Sequence, residues 1–187
     1  MEIPEETRRR MFAFTGGLAG LENCLRMVKE ENLHITLKFL GAMDKQRVDG
    51  LGAALEKAVR GLKPFTVEFS GIGVFPPKGA PRILWADVSD KGDIASLKLN
   101  IEAQLSELGF EEENKHYRPH ITLARFRGRI DKNVQECLRG LLSRANTVNF
   151  GGMRISSLSL MESILEKEGA RYSRLLAVPL SGPPRTA

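Results

Sequence analysis

A four-residue sequence, His-Ile-Thr-Leu, occurs twice in this chain and constrains its fold more than any other feature. The copies begin at His34 and His120, 86 residues apart (120 − 34) in a chain of 187 residues. In an extended strand, successive side chains point to opposite faces. Each copy therefore places its histidine and threonine on one face and its isoleucine and leucine on the other, buried face.

The histidine and threonine side chains of the two copies are suited to catalysis on a phosphate group. Because the pKa of free imidazole is about 6.5, one histidine can accept a proton while another donates one. Threonine hydroxyls can hold phosphate oxygens. A single His-x-Thr is usually an ordinary half-exposed strand, but each copy here contains one of only three histidines. The repeat therefore favours a site for a phosphodiester that is attacked on one side and leaves on the other.

Hydrophobic periodicity predicts the order helix, strand, helix, hairpin, helix, strand, helix, hairpin. The predicted helices span residues 4–16, 44–62, 93–108 and 131–144, and the predicted strands span 33–40, 65–70, 82–89, 117–126, 147–150, 154–164 and 171–179, with a short strand or helix remnant at 23–29. Asp93 or Ser89 is predicted to cap the third helix, and Asp131 the fourth. The repeated order predicts an α+β fold with two pseudo-symmetric lobes, each a mostly antiparallel sheet backed by helices. We expect one two-lobed domain over residues 1–187, with residues 181–187 as a tail and the active site in the central cleft.

Composition narrows the class of protein. The hydrophobic fraction of 42% and charged fraction of 27% are typical of soluble globular proteins, and no stretch approaches the 18 or so apolar residues of a membrane span. The acidic opening is unlike a secretory signal. Two cysteines, Cys24 and Cys137, are too few for a metal or disulfide framework. These features predict a cytoplasmic protein that does not associate with membranes.

The net charge of +5 is compatible with a polyanionic partner. Arg125, Arg127 and Arg129 alternate after the second motif, so an extended backbone would place them on one face. They attract phosphate or form a solvated edge that discourages aggregation.

Longer segments around the two motifs carry a resemblance to a known family. Residues 31–41 read E-N-L-H-I-T-L-K-F-L-G, residues 71–76 and 81–85 form a candidate central hairpin, and residues 118–125 read R-P-H-I-T-L-A-R. From about residue 3 to 180 the chain resembles the two-histidine phosphoesterase superfamily, and within it the RNA 2′,3′-cyclic phosphodiesterases, also called 2′-5′ RNA ligases. In that family a strand precedes the Pro-Glu-Glu helix, whereas here only three residues precede Pro4, so one sheet edge should differ.

The resemblance implies metal-independent hydrolysis of a 2′,3′-cyclic phosphate at an RNA end to a 2′-phosphate, with no cofactor and no obligatory protein partner. The implied roles are His120 as general base, His34 as general acid, Thr36 and Thr122 as phosphate ligands, Arg125 as a stabiliser of transition-state charge, and Phe39 as a stacking platform for a base. Two alternatives remain: RNA ligation through a 2′-5′ bond, and a non-catalytic module that binds RNA ends.

Strand parity conflicts with two of these roles. Arg125 lies five residues after His120, and Phe39 lies five after His34, so regular strands would turn both away from the histidines and place Phe39 in the core. The third histidine, His116, is expected in a loop, with a role near the substrate as the alternative. Trp85, the only tryptophan, is expected in the core or the cleft wall.

Overall fold

The computed structural model of the protein describes residues 1–113, 117–128, 130–166, 169–180 and 182. Four α-helices occur in these ranges: α1 Glu5–Gly16, α2 Val48–Val59, α3 Asp93–Ser106 and α4 Lys132–Ser143. Seven strands accompany them: β1 Leu25–Met27, β2 Phe65–Phe75, β3 Ile83–Ser89, β4 His120–Phe126, β5 Asn149–Ile155, β6 Ser157–Glu166 and β7 Gly169–Pro179. The predicted α+β class is confirmed. The extent of the domain stays a prediction, and most of the expected tail lies outside the described residues.

The strands form two antiparallel sheets. The first has five strands in the order β1-β4-β3-β2-β5, and the second is the β6-β7 hairpin. Helix α1 packs against β4 and β5, whereas α2 packs against β7 and α3. One hydrophobic cluster runs through both parts, because the apolar stripes of these helices meet the inward strand residues. No helix within the described ranges is long and apolar enough to span a membrane.

Side-chain caps set two helix starts. The Asp131 carboxylate accepts a hydrogen bond from Val134 N at 2.8 Å, so the predicted cap of α4 is confirmed. The predicted cap of α3, Asp93 or Ser89, is wrong, since the carboxylate of Asp90 accepts from Ile94 N at 2.6 Å. Asp90 sits between the two candidates, and the intervening Gly92, at φ +93°, turns the chain into the helix.

The two motifs lie in different backbone environments. The second motif occupies β4, which has β1 and β3 as neighbours. The predicted strand over residues 33–40 is wrong, because only two isolated bridges form there, Glu2↔His34 and Ile35↔Ile121. A ladder needs a partner on at least one side. Strands β6 and β7 pair with each other and not with this segment. The three residues before Pro4 form only one bridge with it, between Glu2 and His34.

The second motif buries the predicted face completely, and the first does so in part. Ile121 and Leu123 are fully buried and Ile35 is 1% exposed, whereas Leu37 is only partly buried. The bridge Ile35↔Ile121 joins the two motifs directly. The predicted alternation is thus confirmed in the second copy, and in the first copy it extends only as far as Ile35.

A glycine allows the only tryptophan to lie flat on the five-stranded sheet. Trp85 pairs with Gly73 across β3 and β2. A Cβ atom built on Gly73 would lie 2.2 Å from the Trp85 ring. The tryptophan is 4% exposed and cannot retreat without losing its packing.

Replacing Gly73 by alanine should therefore lower the free energy of unfolding by about 1–3 kcal/mol, the usual cost of overpacking. Urea unfolding, monitored by the fluorescence of Trp85, measures this change in the free energy of unfolding. Gly50→Ala is the control, since nothing lies within 4 Å of a Cβ at this position in α2. It should raise the free energy of unfolding by about 0.5–1 kcal/mol. Equal stability of the two variants would contradict the close approach.

Candidate active site

The two histidines are held by the same hydrogen bond. His34 Nδ1 lies 2.7 Å from the carbonyl oxygen of Asn32, and His120 Nδ1 lies 2.8 Å from that of Arg118. A carbonyl oxygen only accepts, so Nδ1 carries the hydrogen in both rings. Each ring thus keeps Nε2 for proton exchange, as an acceptor when neutral and a donor when protonated.

Side chains anchor both of the residues that supply these carbonyl groups. Asn32 Nδ2 donates to the carbonyl oxygen of Ala170 in β7 at 2.7 Å. Arg118 pairs with Asp87 of β3 at 3.1 Å, and its guanidinium lies 4.4 Å from the ring centroid of Trp85. Because the side chains of Asn32 and Arg118 are bound to neighbouring strands, the carbonyl groups of these two residues hold both imidazoles in a fixed orientation.

Aromatic rings pack against both imidazoles. The Tyr172 ring lies edge-on to His34 with centroids 4.8 Å apart, and Phe75 lies edge-on to His120 at 5.1 Å. Trp85 lies 6.4 Å from His120, so the cleft-wall expectation for this residue fits its position.

Four residues near the histidines were missed by sequence reasoning: Asn32, Phe75, Arg118 and Tyr172. Asn32 and Arg118 each precede a histidine by two positions, and this symmetry was visible in the two motifs. Phe75 and Tyr172 gave no signal of their own, since their proximity arises only from the sheet order.

Burial lowers the pKa of His34, because the charged imidazolium loses hydration, and the charge on His120 acts in the same direction. The His34–Asn32 hydrogen bond opposes this effect. The bridge between Ile35 and Ile121 places the two histidines on neighbouring segments. The neutral form of His34 is therefore favoured near neutral pH in the absence of an anion.

A bulge in β4 brings Arg125 to the histidine face, so parity fails for this residue. Thr122 pairs with Trp85, but Ala124 pairs with Leu84. Leu123 of β4 therefore has no paired residue on β3, which defines the bulge. The two consecutive residues Leu123 and Ala124 are both fully buried, so the alternation is interrupted there.

The register on β3 establishes the face directly. Asp87, Trp85 and Ile83 alternate along one face of β3 and pair with His120, Thr122 and Arg125, respectively. Residues directly opposite each other share a face. The three β4 side chains consequently line one side of the sheet in sequence, and the conflict between parity and the implied role of Arg125 disappears.

Phe39 is 73% exposed, so its expected place in the core is wrong. The chain around it belongs to no strand, and alternation does not apply there. Thr36 and Thr122 are both partly buried, as expected beside their histidines. His116 and Arg129 lie outside the described residues. Among the described residues, no group of three or more His, Cys, Asp or Glu side chains could hold a metal ion.

Side chains, in place of a ladder, hold the segment after the first motif. The Tyr117 hydroxyl donates to the Thr36 carbonyl oxygen at 2.9 Å, and Lys98 Nζ donates to that of Leu37 at 3.2 Å. Lys38 Nζ lies 2.5 Å from a Glu102 carboxylate oxygen. The other Glu102 oxygen lies 2.5 Å from Lys98 Nζ. We call Lys38, Lys98 and Glu102 the buried ion cluster.

The buried ion cluster is nearly dry. The side chains of Lys38, Lys98 and Glu102 are 4%, 7% and 11% exposed. Although burial opposes it, hydrogen bonds from Lys38 and Lys98 lower the pKa of the Glu102 carboxyl. Burial likewise opposes the charge on Lys98, but Glu102 and Glu113 raise the pKa of Lys98. Lys98 and Glu102 therefore hold each other in the ionised state.

Comparison with known families agrees with the internal repeat. A model of the family described as LigT like Phosphoesterase matches residues 1–85 and residues 87–172. The two matched stretches begin 86 residues apart, which is the offset of the two motifs. The chain belongs to the LigT-like phosphoesterase family, and the family expected from the resemblance is confirmed.

Named relatives and solved structures cover nearly the whole chain. An Aeropyrum pernix protein named RNA 2′,3′-cyclic phosphodiesterase is 32% identical over 155 residues, covering 82% of this chain and 85% of its own. A Methanocaldococcus jannaschii protein of the same name is 30% identical over 172 residues, covering 92% and 93%.

The crystal structure of the Thermus thermophilus protein TT0787 superimposes with a TM-score of 0.76 at 26% identity, covering 96% of this chain and 94% of its own. E. coli LigT complexed with 3′-AMP also has a TM-score of 0.76, at 21% identity, covering 97% and 95%. The latter shares the fold with this protein.

Glu102→Gln should destabilise the protein by about 3 kcal/mol near neutral pH, because two buried ammonium groups lose their shared counter-ion. A carboxyl with a lowered pKa in the folded protein stabilises above its unfolded pKa and loses that contribution as the pH falls through the folded value. The difference between the unaltered protein and the variant should therefore shrink below pH of about 4.5.

Urea unfolding at several pH values tests this expectation. Glu107→Gln is the control, since Glu107 is exposed and follows the same helix. A Glu102→Gln variant with the same pH dependence as the unaltered protein would contradict the assignment.

Proposed function

We propose that this protein is an RNA 2′,3′-cyclic phosphodiesterase that uses His34 and His120 as its acid–base pair and converts the cyclic phosphate to a 2′-phosphate. The observation that carries the proposal is the matched hydrogen bonding of the two rings, with each Nδ1 bound to a carbonyl oxygen and each Nε2 left for proton exchange. The names of relatives at about 30% identity over most of the chain support the substrate class.

In the proposed reaction, water attacks phosphorus and passes its proton to His120 Nε2. A P–O bond to the water oxygen forms, and the P–O3′ bond breaks. His34 Nε2–H donates its proton to the departing 3′ oxygen, which becomes a hydroxyl. The products are a 2′-phosphate and a pair of histidines in exchanged protonation states, which proton exchange with solvent restores.

Thr36 and Thr122 would donate hydroxyl hydrogen bonds to the non-bridging phosphate oxygens. Arg125 follows Thr122 on the same sheet face, two ladder positions or about 7 Å away along the strand. Its long side chain can reach the charge that develops on phosphate in the transition state. Phe39, exposed beyond the first motif, can stack under the terminal base.

Single His34→Ala and His120→Ala substitutions should each reduce kcat by about 10²–10⁴-fold, because each removes one proton transfer. The assay is conversion of an oligoribonucleotide ending in a 2′,3′-cyclic phosphate, with and without a second oligonucleotide carrying a 5′-hydroxyl. Conversion of the cyclic end without joined strands supports hydrolysis. Longer products would support ligation instead, and no conversion by the unaltered protein would support the binding module.

Substituting sulfur for the departing 3′ oxygen distinguishes the two histidine roles. A thiolate leaves without help from an acid, so the variant lacking the general acid should regain activity on the sulfur substrate. Recovery by His34→Ala but not by His120→Ala is the expected result. The opposite pattern would reverse the assignment of acid and base.

The pH dependence should be bell-shaped, since one histidine must be neutral and the other protonated. As the general acid, His34 must be protonated, and burial lowers its pKa in the free protein. Activity is lost at low pH, where both rings are protonated, and at high pH, where both are neutral, so the acid limb reports the lower pKa of the pair. The acid limb of kcat/KM should therefore lie below pH of about 6.5. A bound phosphate anion raises the pKa of His34, so the acid limb of kcat should lie higher. Coincident acid limbs would contradict the place of His34 in the acid–base pair.

A further inference from the structure

Arg26 of β1 lies directly opposite Arg125 of β4 in the five-stranded sheet. Residues directly opposite each other share a face, and Arg125 shares the face of His120 and Thr122. Arg26 therefore lies on the histidine side of the sheet, one strand, or about 5 Å, farther out than Arg125. We call Arg26 and Arg125 the arginine pair.

A second contact places the Arg26 guanidinium at the cleft between the two sheets. A Cβ atom built on Gly169 would lie 3.2 Å from Arg26 Nη2, so β7 begins against this side chain. Gly169 has φ +132°, a conformation that favours glycine. The next residues of β7 contact the first motif. The carbonyl oxygen of Ala170 accepts a hydrogen bond from Asn32, and the ring of Tyr172 packs on His34.

Among the residues that the structure describes, no acidic side chain balances the charges of the arginine pair. Both side chains are exposed, and neither forms an ion pair with any residue in the described ranges. The arginine Arg118 on the same face differs, because Asp87 neutralises it. Like charges directly opposite each other in a sheet repel. An anion bound between the two guanidinium groups would remove this repulsion.

We propose that Arg26 binds the phosphodiester that precedes the terminal nucleotide of the RNA, with Arg125 between it and the reactive phosphate, so that the protein acts preferentially on oligonucleotides over cyclic mononucleotides. The proposal rests on the function proposed above. Arg26 fits this ligand because it lies beside Arg125 on the same face as Thr122, one strand farther out, where the next phosphate of a bound strand can reach it. Arginine is suited to this role, since its planar guanidinium binds phosphate through two hydrogen bonds.

Arg26→Gln is the variant that tests the pair. Loss of one charge-assisted contact should raise KM for a short oligonucleotide with a 2′,3′-cyclic end by about tenfold. The effect on KM for 2′,3′-cyclic AMP should be several times smaller, since this substrate has no preceding phosphodiester. Arg26→Lys should recover part of the loss because it keeps the charge. Arg154→Gln is the matched control, an exposed arginine on the opposite edge strand β5 of the same sheet.

Binding and stability are measured alongside turnover. The anisotropy of a 5′-labelled oligonucleotide gives affinity at several salt concentrations, and the slope of log K against log salt should fall by about 0.7 in Arg26→Gln. The variant should unfold at a urea concentration no lower than the unaltered protein, since a repulsion is relieved.

The outcomes separate the two proposals. An equal rise in KM for both substrates would mean that Arg26 contacts the reactive phosphate, and unchanged values for both would mean that it contacts no RNA. Either result overturns the arginine-pair proposal. If the unaltered protein converts neither substrate but Arg26→Gln still reduces affinity and salt slope, the pair stands and the catalytic proposal fails.

Discussion

The contact between Ile35 and Ile121 is the constraint on which the site depends. The two residues form a bridge and are almost completely excluded from water. Burying them is favourable by about 1.5–3 kcal/mol for each side chain. Because side chains alternate along an extended chain, burial of the isoleucines turns His34 and His120 out of the core together. Two motifs that are 86 residues apart in sequence are thus neighbours in space.

The two halves achieve the same local geometry by different physical means. The β4 copy is held by the ladder with β3, and β1 pairs with the residues of β4 that directly follow the copy. The first copy has two bridges, and its continuation is held by Tyr117 and the buried ion cluster. Ladder bonds do not titrate, whereas the ion cluster requires its carboxylate to be charged. Acid should therefore loosen the first motif before the second, so the pseudo-symmetry of the sequence does not extend to stability.

The sequence predicted those features that depend on local pattern. The repeat, the inward isoleucines and the helix positions follow from periodicity, which is why the predicted α+β class was right. The alternation rule failed for Arg125 because a bulge depends on the register with β3, and register arises from the partner strand. It failed for Phe39 because residues 38–40 have no strand partner at all. Arg26 gave no signal, since only the placement of β1 beside β4 brings it to Arg125.

The central claim is that both imidazoles contact one phosphate group through Nε2. A crystal structure of the protein with an oligonucleotide ending in a 2′-phosphate tests it most directly. The account predicts His34 Nε2 and His120 Nε2 each within about 2.6–3.2 Å of oxygens of the same terminal phosphate, with Thr36 and Thr122 bound to its other oxygens. A terminal phosphate bound by only one histidine, or bound away from both, would contradict the account.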